Sequence, residues 1–381
     1  MLWLATFLFY FGFQLLLPVV PLYAASLGGR EGDVGFIIGV FALAAMLLRP
    51  IAGELADRVG RRPLVLVGTV IFALAPLGYA AARSIPVLLL ARLFHGVGMG
   101  LGPTAATAVV TDLTPPERRG AAMGLFGLAS ALGLALGPYL GIELAHRAGF
   151  AASFATAAAV EAVALALAWR LPETRPAPPA GSADGGVPGA GRLGQWARRW
   201  FSAGAVFPAG LILALYVSYG GLASFLPLFA ARRQLGNPGL FFTVFAVASV
   251  AVRPVAGHVA DRVGRRAVVA PALAVAAASL VLLAFAASPA GLLAAAAVYG
   301  VGFGAGQPAL LAMATDRVPA QQRGRAMGTV YTAWELGISG GSVVLGLCAA
   351  RFGYAAMWGI AAACAGAGAL AALRDVGRAR G

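Results

Sequence analysis

Lysine is absent from all 381 residues; each of the 28 basic side chains is an arginine. Charge of either sign is scarce, at 11% of residues, where a soluble domain carries about 25%. Water is therefore not the main solvent of this chain. Only two cysteines occur, Cys348 and Cys364, both inside apolar stretches and neither at a metal-ligand spacing. A disulfide framework and a thiolate metal site are not indicated. Without lysine there is no G-x-x-x-x-G-K-[ST] phosphate loop, which argues against ATP-driven pumping. No nucleophile–base arrangement stands out, so a membrane-embedded enzyme is the remotest of the functional alternatives and no cofactor is expected. Long polar stretches are lacking too. The one exception, Pro172 to Arg199, is rich in Pro, Gly, Ala and Arg, a composition that suits a flexible linker.

Apolar side chains fill the remaining space. They make up 60% of the residues, and the mean hydropathy is +0.85. Runs long enough to cross a bilayer, about 20 residues each, recur along the whole chain. With turn residues and charges as punctuation, spans are expected near 2–25, 34–56, 63–83, 86–110, 120–146 and 150–171. A second set is expected near 204–231, 238–259, 267–287, 290–313, 324–350 and 353–373. The first run has no basic region before it and no small-residue cleavage site, so it reads as a retained span. Nineteen arginines fall on one side of this arrangement, six on the other, and Arg49, Arg92 and Arg253 fall inside spans. The positive-inside rule then puts both termini and the linker in the cytoplasm. The arginines are dispersed over short loops, so a topological role for the charge of +14 is expected and a nucleic-acid partner is not. Abundant Ala and Gly beside the exclusive use of Arg suggest a GC-rich coding bias and a bacterial inner membrane as the location.

The chain repeats itself. RPIAGELADRVGRR from Arg49 to Arg62 returns as RPVAGHVADRVGRR from Arg253 to Arg266, with 11 of 14 positions identical at an offset of 204. The same offset carries Gly96, Gly98, Gly100 and Gly102 onto Gly300, Gly302, Gly304 and Gly306, and Thr111-Asp112 onto Thr315-Asp316. An all-α fold of twelve spans follows, in two homologous six-helix bundles, 1–171 and 204–381, joined by a linker at 172–203. Parallel repeats of this kind place a substrate site between the halves near the midplane and let access alternate by rocking.

These features resemble the major facilitator superfamily over nearly the full length. Its loop G-x-L-A-D-R-x-G-R-R between spans 2 and 3 is matched by Gly53, Leu55, Ala56, Asp57, Arg58, Gly60, Arg61 and Arg62. Arg92, Gly96 and Gly98 resemble the family's R-x-x-x-G-x-G element in span 4. Gly133, Gly137, Pro138 and Gly141 resemble the G-x-x-x-G-P-x-x-G element of its drug:proton antiporters, with Ile142 directly after it, although Ser342 stands at the repeat position of Pro138. The resemblance implies secondary transport by alternating access, with proton-coupled efflux of small molecules as the branch activity and a monomer as the unit. An importer or a lipid flippase on the same fold is the alternative. The resemblance also brings Asp57 to the start of span 11 in the opposite half. With Arg58, Arg61, Arg62 and Asp112 in one copy, and Asp261, Arg262, Arg265 and Asp316 in the other, these charges form a candidate conformational latch. The glycines at 96, 98, 100, 133, 137 and 141, with Pro138, read as sites of close helix packing in lipid.

Charges inside spans are the sharpest signals, because each costs about 2.5–3.5 kcal/mol by insertion scales and marks a cavity or a partner. Glu335 lies 12 residues beyond Arg323 and has Ala131 as its repeat mate, so it is specific to one half. It is the principal proton-coupling candidate, with an ion pair to Arg49 as the structural alternative. Arg49 and Arg253 each precede a proline and are also expected to satisfy carbonyls that Pro50 and Pro254 free. Arg92 and Glu161 are the further coupling candidates. No acid occurs in span 1, where many similar antiporters carry one; Gln14 is its strongly polar group. Tyr10, Gln14, His95, Tyr219, Tyr299, Tyr331 and Trp334 are the expected cavity lining, and such a surface suits amphipathic or hydrophobic molecules. The expected coupling ion is the proton.

Overall fold

The computed structural model describes residues 1–174 and 201–378, so most of the expected linker lies outside the described residues. Ten helices of spanning length come first. They are α1 (Leu2–Ser26), α2 (Glu31–Val59), α3 (Arg61–Ala81), α4 (Ile85–Asp112), α5 (Arg119–Ala148), α6 (Phe150–Ala168), α7 (Ala203–Arg232), α8 (Gly239–Val263), α9 (Arg265–Ala284) and α10 (Pro289–Asp316). The stretch Arg323–Arg378 is two helices, α11 (323–352) and α12 (354–378), which meet at Gly353 with φ 80° and ψ 173°. Twelve spans result among the described residues, each within a few residues of its expected place. Large apolar side chains such as Phe285, Phe352, Leu90 and Val247 point outward, as lipid-facing residues must.

The duplication reaches the backbone. Gly60 and Gly264 turn the chain between spans at φ 114° and 96°, and Gly149 and Gly353 do so at 82° and 80°. Each pair is 204 residues apart. A side chain at such φ is strained, so these four turns require glycine.

Small residues set the helix contacts. A Cβ added at Gly68 of α3 would lie 2.5 Å from Gly102 Cα of α4, and one at Gly100 would lie 2.6 Å from Leu48 Cβ of α2. Gly96 and Gly100 thus seat α4 on α2, while Gly98 and Gly102 seat it on α3. Gly133, Gly137 and Gly141 form the face of α5 that presses on α1; an added Cβ at Gly137 would lie 2.7 Å from the Leu15 nitrogen. Gly337 and Gly341 seat α11 on α7 in the same way. In lipid the drive for these contacts is packing rather than escape from water.

Among the described residues, the close helix-to-helix contacts between the halves lie toward one end. Far from the arginine loops, α2 packs on α11 through Gly35, Gly39 and Gly346, with an added Cβ at Gly39 lying 2.9 Å from the Ser339 carbonyl oxygen. There too α5 packs on α8, where Thr243 donates to the Ala135 carbonyl at 2.5 Å and Asn237 to the Tyr139 carbonyl at 3.3 Å. Nearer the arginine loops, Gly53 of α2, Gly124 and Gly127 of α5, Gly257 of α8 and Gly324 of α11 meet nothing within 4 Å of an added Cβ. The same four helices are pressed together at one end and splayed at the other. The molecule is open on its arginine-rich side.

Candidate functional site

Arg49 stands ten residues before the end of α2, about 15 Å from the arginine-rich side, and Glu335 stands about 18 Å in along α11. The two arrive at one depth from opposite halves, and Arg49 Nη2 lies 2.6 Å from Glu335 Oε1. Glu335 is buried, while the Arg49 side chain keeps 31% of its surface and its guanidinium lies over the Tyr331 ring, 5.9 Å from the centroid. The expectation that Arg49 serves a carbonyl freed by Pro50 is corrected: a carboxylate at the same depth is the stronger partner. Arg253 bonds to no carbonyl among the described residues either; it lines a cleft with Gly257, Arg265 and Pro308.

Around the pair the surface is aromatic. Trp334 stacks on Tyr216 with ring centroids 4.1 Å apart, and the Tyr216 hydroxyl accepts a bond from Gln307 Nε2 at 2.8 Å. Tyr219 packs on Phe303 at 5.6 Å. Across the cleft, Tyr10 rests on Gly133 and Gln14 on Gly137, and the Gln14 carboxamide oxygen is buried without a partner. Gln307 was not foreseen; as the polar mate of Pro103 at the repeat offset, it was visible in the aligned halves.

Two expected lining residues sit elsewhere. His95 is buried inside the first bundle against Phe13, Phe41 and Phe72, and its Nδ1 shares a 2.6 Å hydrogen bond with the Tyr79 hydroxyl. Tyr299 is fully buried and bonds Ser218 at 2.8 Å. Both stand on the expected helices, but their faces turn into the bundles. Arg92, equally buried, lies over Phe41 at 4.8 Å and donates to Tyr79 at 3.4 Å; it has no carboxylate partner among the described residues. Glu161 is buried between α6 and α1, where Gly12 makes room for it: an added Cβ there would lie 2.5 Å from Oε1.

The loop charges pair within each half. Arg61 bridges Asp57 at 2.7 Å and Asp112 at 3.2 Å; Arg265 bridges Asp261 at 2.7 Å and Asp316 at 3.5 Å. Arg58 pairs with Glu54 at 2.6 Å, Arg62 donates to the Trp169 carbonyl and Arg262 is exposed. The Asp57 side chain is 71% exposed, so with the cleft open it stands apart from α11. Two acids were missed. Glu173 accepts from the backbone nitrogens of Arg61 and Arg62 at 2.8 and 3.2 Å, capping α3 where its dipole is positive. Asp375 binds both Arg266 and Arg317. Also missed was a clasp at the closed end. Glu31 of α2 pairs with Arg232 of α7, Tyr354 of α12 donates to Glu31 at 3.5 Å, and Arg232 lies over the Tyr354 ring at 5.1 Å. Nothing in the local pattern links residues 201 and 323 positions apart.

Comparison with known proteins joins these observations. Over 113 residues, 30% of this chain and 29% of the relative, the sequence is 30% identical to the quinolone resistance protein NorA of Staphylococcus aureus. Over 127 residues, 33% of this chain and 32% of the relative, it is 28% identical to multidrug resistance protein 2 of Bacillus subtilis. The matched stretches thus span about a third of those relatives. The fold is similar to that of the human organic anion transporter MFSD10 (TETRAN), at a TM-score of 0.70 and 23% identity over 97% of both chains. It is also similar to a POT family transporter, at a TM-score of 0.83 and 14% identity over 99% of this chain and 95% of that one. A sequence model of the Major Facilitator Superfamily matches residues 2–238 and 211–380, once on each half. Twelve spans, a duplicated loop and a cleft between halves are thereby accounted for together: this chain is a multi-pass membrane transporter and belongs to the Major Facilitator Superfamily.

Proposed function

We propose that this transporter exports small amphipathic or hydrophobic compounds in exchange for protons, and that Glu335 is the carboxylate for which they compete. The observation that carries the proposal is the Arg49–Glu335 pair, which joins the two halves at mid-membrane depth inside an aromatic cleft. The positive-inside rule makes the open, arginine-rich side the cytoplasmic one, so both termini lie there and the state described accepts substrate from the cell.

In that state Glu335 is ionised and held by Arg49. A substrate entering between Tyr10, Tyr331 and Trp334 displaces Arg49 from the carboxylate, and the halves rock shut behind it. Once the cleft faces outward and the substrate leaves, a proton from outside neutralises Glu335, which removes the reason for an unpaired buried charge to resist the return. Opening inward lets Arg49 approach again and drive the proton off. Each ligand stabilises states that the other does not, which is what coupling requires. The names of the two bacterial relatives, a quinolone resistance protein and a multidrug resistance protein, support the substrate class.

The test is flux in proteoliposomes with a fluorescent lipophilic dye. Glu335→Gln should still exchange internal for external dye but sustain a much smaller dye gradient when driven by a pH gradient alone. Full accumulation by Glu335→Gln would remove Glu335 from the coupling step.

A further inference from the structure

Glu161 is not explained by the exchange at Glu335. Both of its oxygens are buried, and neither has a hydrogen bond or an ion pair. It is the one charged residue of α6. Three helices pack on α6: α1, α3 and α5. Nothing on α1 is charged, and its titratable groups are Tyr10 and Tyr23. On α3, Arg61 and Arg62 sit at the arginine-rich end, and Tyr79 spends its hydroxyl on His95 and Arg92. The titratable groups of α5 are Arg119 at that same end, Tyr139 against α8, and Glu143, His146 and Arg147 at the far end. An acid this deep with no counter-ion is stable either neutral or while water reaches it.

A crevice lies one turn below the carboxyl on the same face. Ala164 and Ala168 continue the Glu161 face toward the arginine-rich side, and both line this small, largely apolar space of about 30 Å³, room for about one water, between α1, α3, α4 and α6. Phe9, Thr6, Thr69, Gly102 and Ala106 are among its other wall residues, most of which are apolar. The Thr6 and Thr69 hydroxyls donate to carbonyls of their own helices, at 2.9 and 2.8 Å, and keep their lone pairs free to accept from water. Gly12 is needed here for a specific reason: any larger residue would occupy the place of the carboxyl.

We propose that Glu161 is a second proton-binding site, in the first half, loaded and unloaded through the crevice between α1, α3, α4 and α6, so that two protons move per cycle, one on each half. This rests on the proton exchange at Glu335 and adds to it. A carboxylate takes up one proton to become the acid and gives it back; no other bond changes.

The experiment measures the limiting dye gradient that a fixed pH gradient sustains in proteoliposomes. For a gradient of one pH unit each coupled proton multiplies that ratio about tenfold. The parent protein should reach about a hundredfold, and Glu161→Gln about tenfold. Glu161→Gln at the parental limit would overturn the second site and leave Glu335 standing, whereas a parent protein indifferent to the pH gradient would overturn both. Should Glu161→Gln not fold, Ala106→Leu narrows the crevice without touching either carboxyl. It should slow proton uptake by purified protein after a pH jump at least severalfold, and an unchanged rate would overturn the route. Infrared difference spectra give a readout independent of transport: a carboxyl band that moves with pH and vanishes in Glu161→Gln is expected. A band that stays fixed across the stable pH range would mean a permanently neutral acid and would refute the site.

Discussion

Removing one member of the Arg49–Glu335 pair should not cost the same as removing the other. Truncating one partner of a buried ion pair costs about 3–5 kcal/mol, because a charge is left without compensation. Glu335 keeps only 6% of its side-chain surface, and Arg49 keeps 31%. Arg49→Ala therefore strands a carboxylate that water barely reaches, and about 3 kcal/mol is expected. Glu335→Gln strands a guanidinium that water does reach and that still has the Tyr331 ring beneath it, so about 1–2 kcal/mol is expected. The double substitution should cost less than the sum by roughly 1–3 kcal/mol, the range for residues in direct contact. Chemical denaturation or thermal unfolding in one detergent, at a pH well above the carboxylate range, supplies the four corners of the cycle. Strictly additive losses, or a larger loss from Glu335→Gln than from Arg49→Ala, would refute the reasoning.

The clasp at the closed end should bias the conformational equilibrium, since Glu31, Arg232 and Tyr354 join α2 to α7 and α12. Glu31→Gln removes a partly exposed pair worth about 0.5–1 kcal/mol, which should shift populations two- to fivefold toward opening there, read as longer label-to-label distances between the ends of α2 and α7. Gly68→Ala should lower stability by about 1–3 kcal/mol through overpacking on the Gly102 backbone. Gly127→Ala meets nothing within 4 Å and should be neutral or stabilising by up to about 1 kcal/mol through helix propensity; equal thermal shifts would contradict the packing account.

Much of the architecture was legible in the residues, for identifiable reasons. Apolar runs near 20 residues, stopped by glycine and arginine, place helices because a bilayer admits few alternatives. The 204-residue register reported the repeat, and its signature in Gly60, Gly264, Gly149 and Gly353 is conformational as well as compositional. Depth counting brought Arg49 and Glu335 to the same level, although the prolines beside Arg49 and Arg253 suggested a carbonyl role that the side chains do not adopt. Helix rotation was harder to read. His95 and Tyr299 share spans with the cleft yet face bundle interiors, because a span hydrophobic on all sides has no strong moment to set its rotation. Contacts between distant segments, such as Glu31 with Arg232 or Glu173 with the start of α3, leave no local pattern. The same holds for the splaying of the halves, since one sequence must serve every state of the cycle.

The central claim is exchange of substrate for protons through the cleft in which Arg49 pairs with Glu335. Its most direct measurement is of both fluxes at once, in proteoliposomes that carry an internal pH indicator, with dye added at saturating concentration and the membrane potential clamped. The account predicts that dye movement in one direction is matched by proton movement in the other, and that Glu335→Gln lowers the number of protons moved per dye while dye exchange continues. Dye movement with no accompanying proton flux in the parent protein would contradict it.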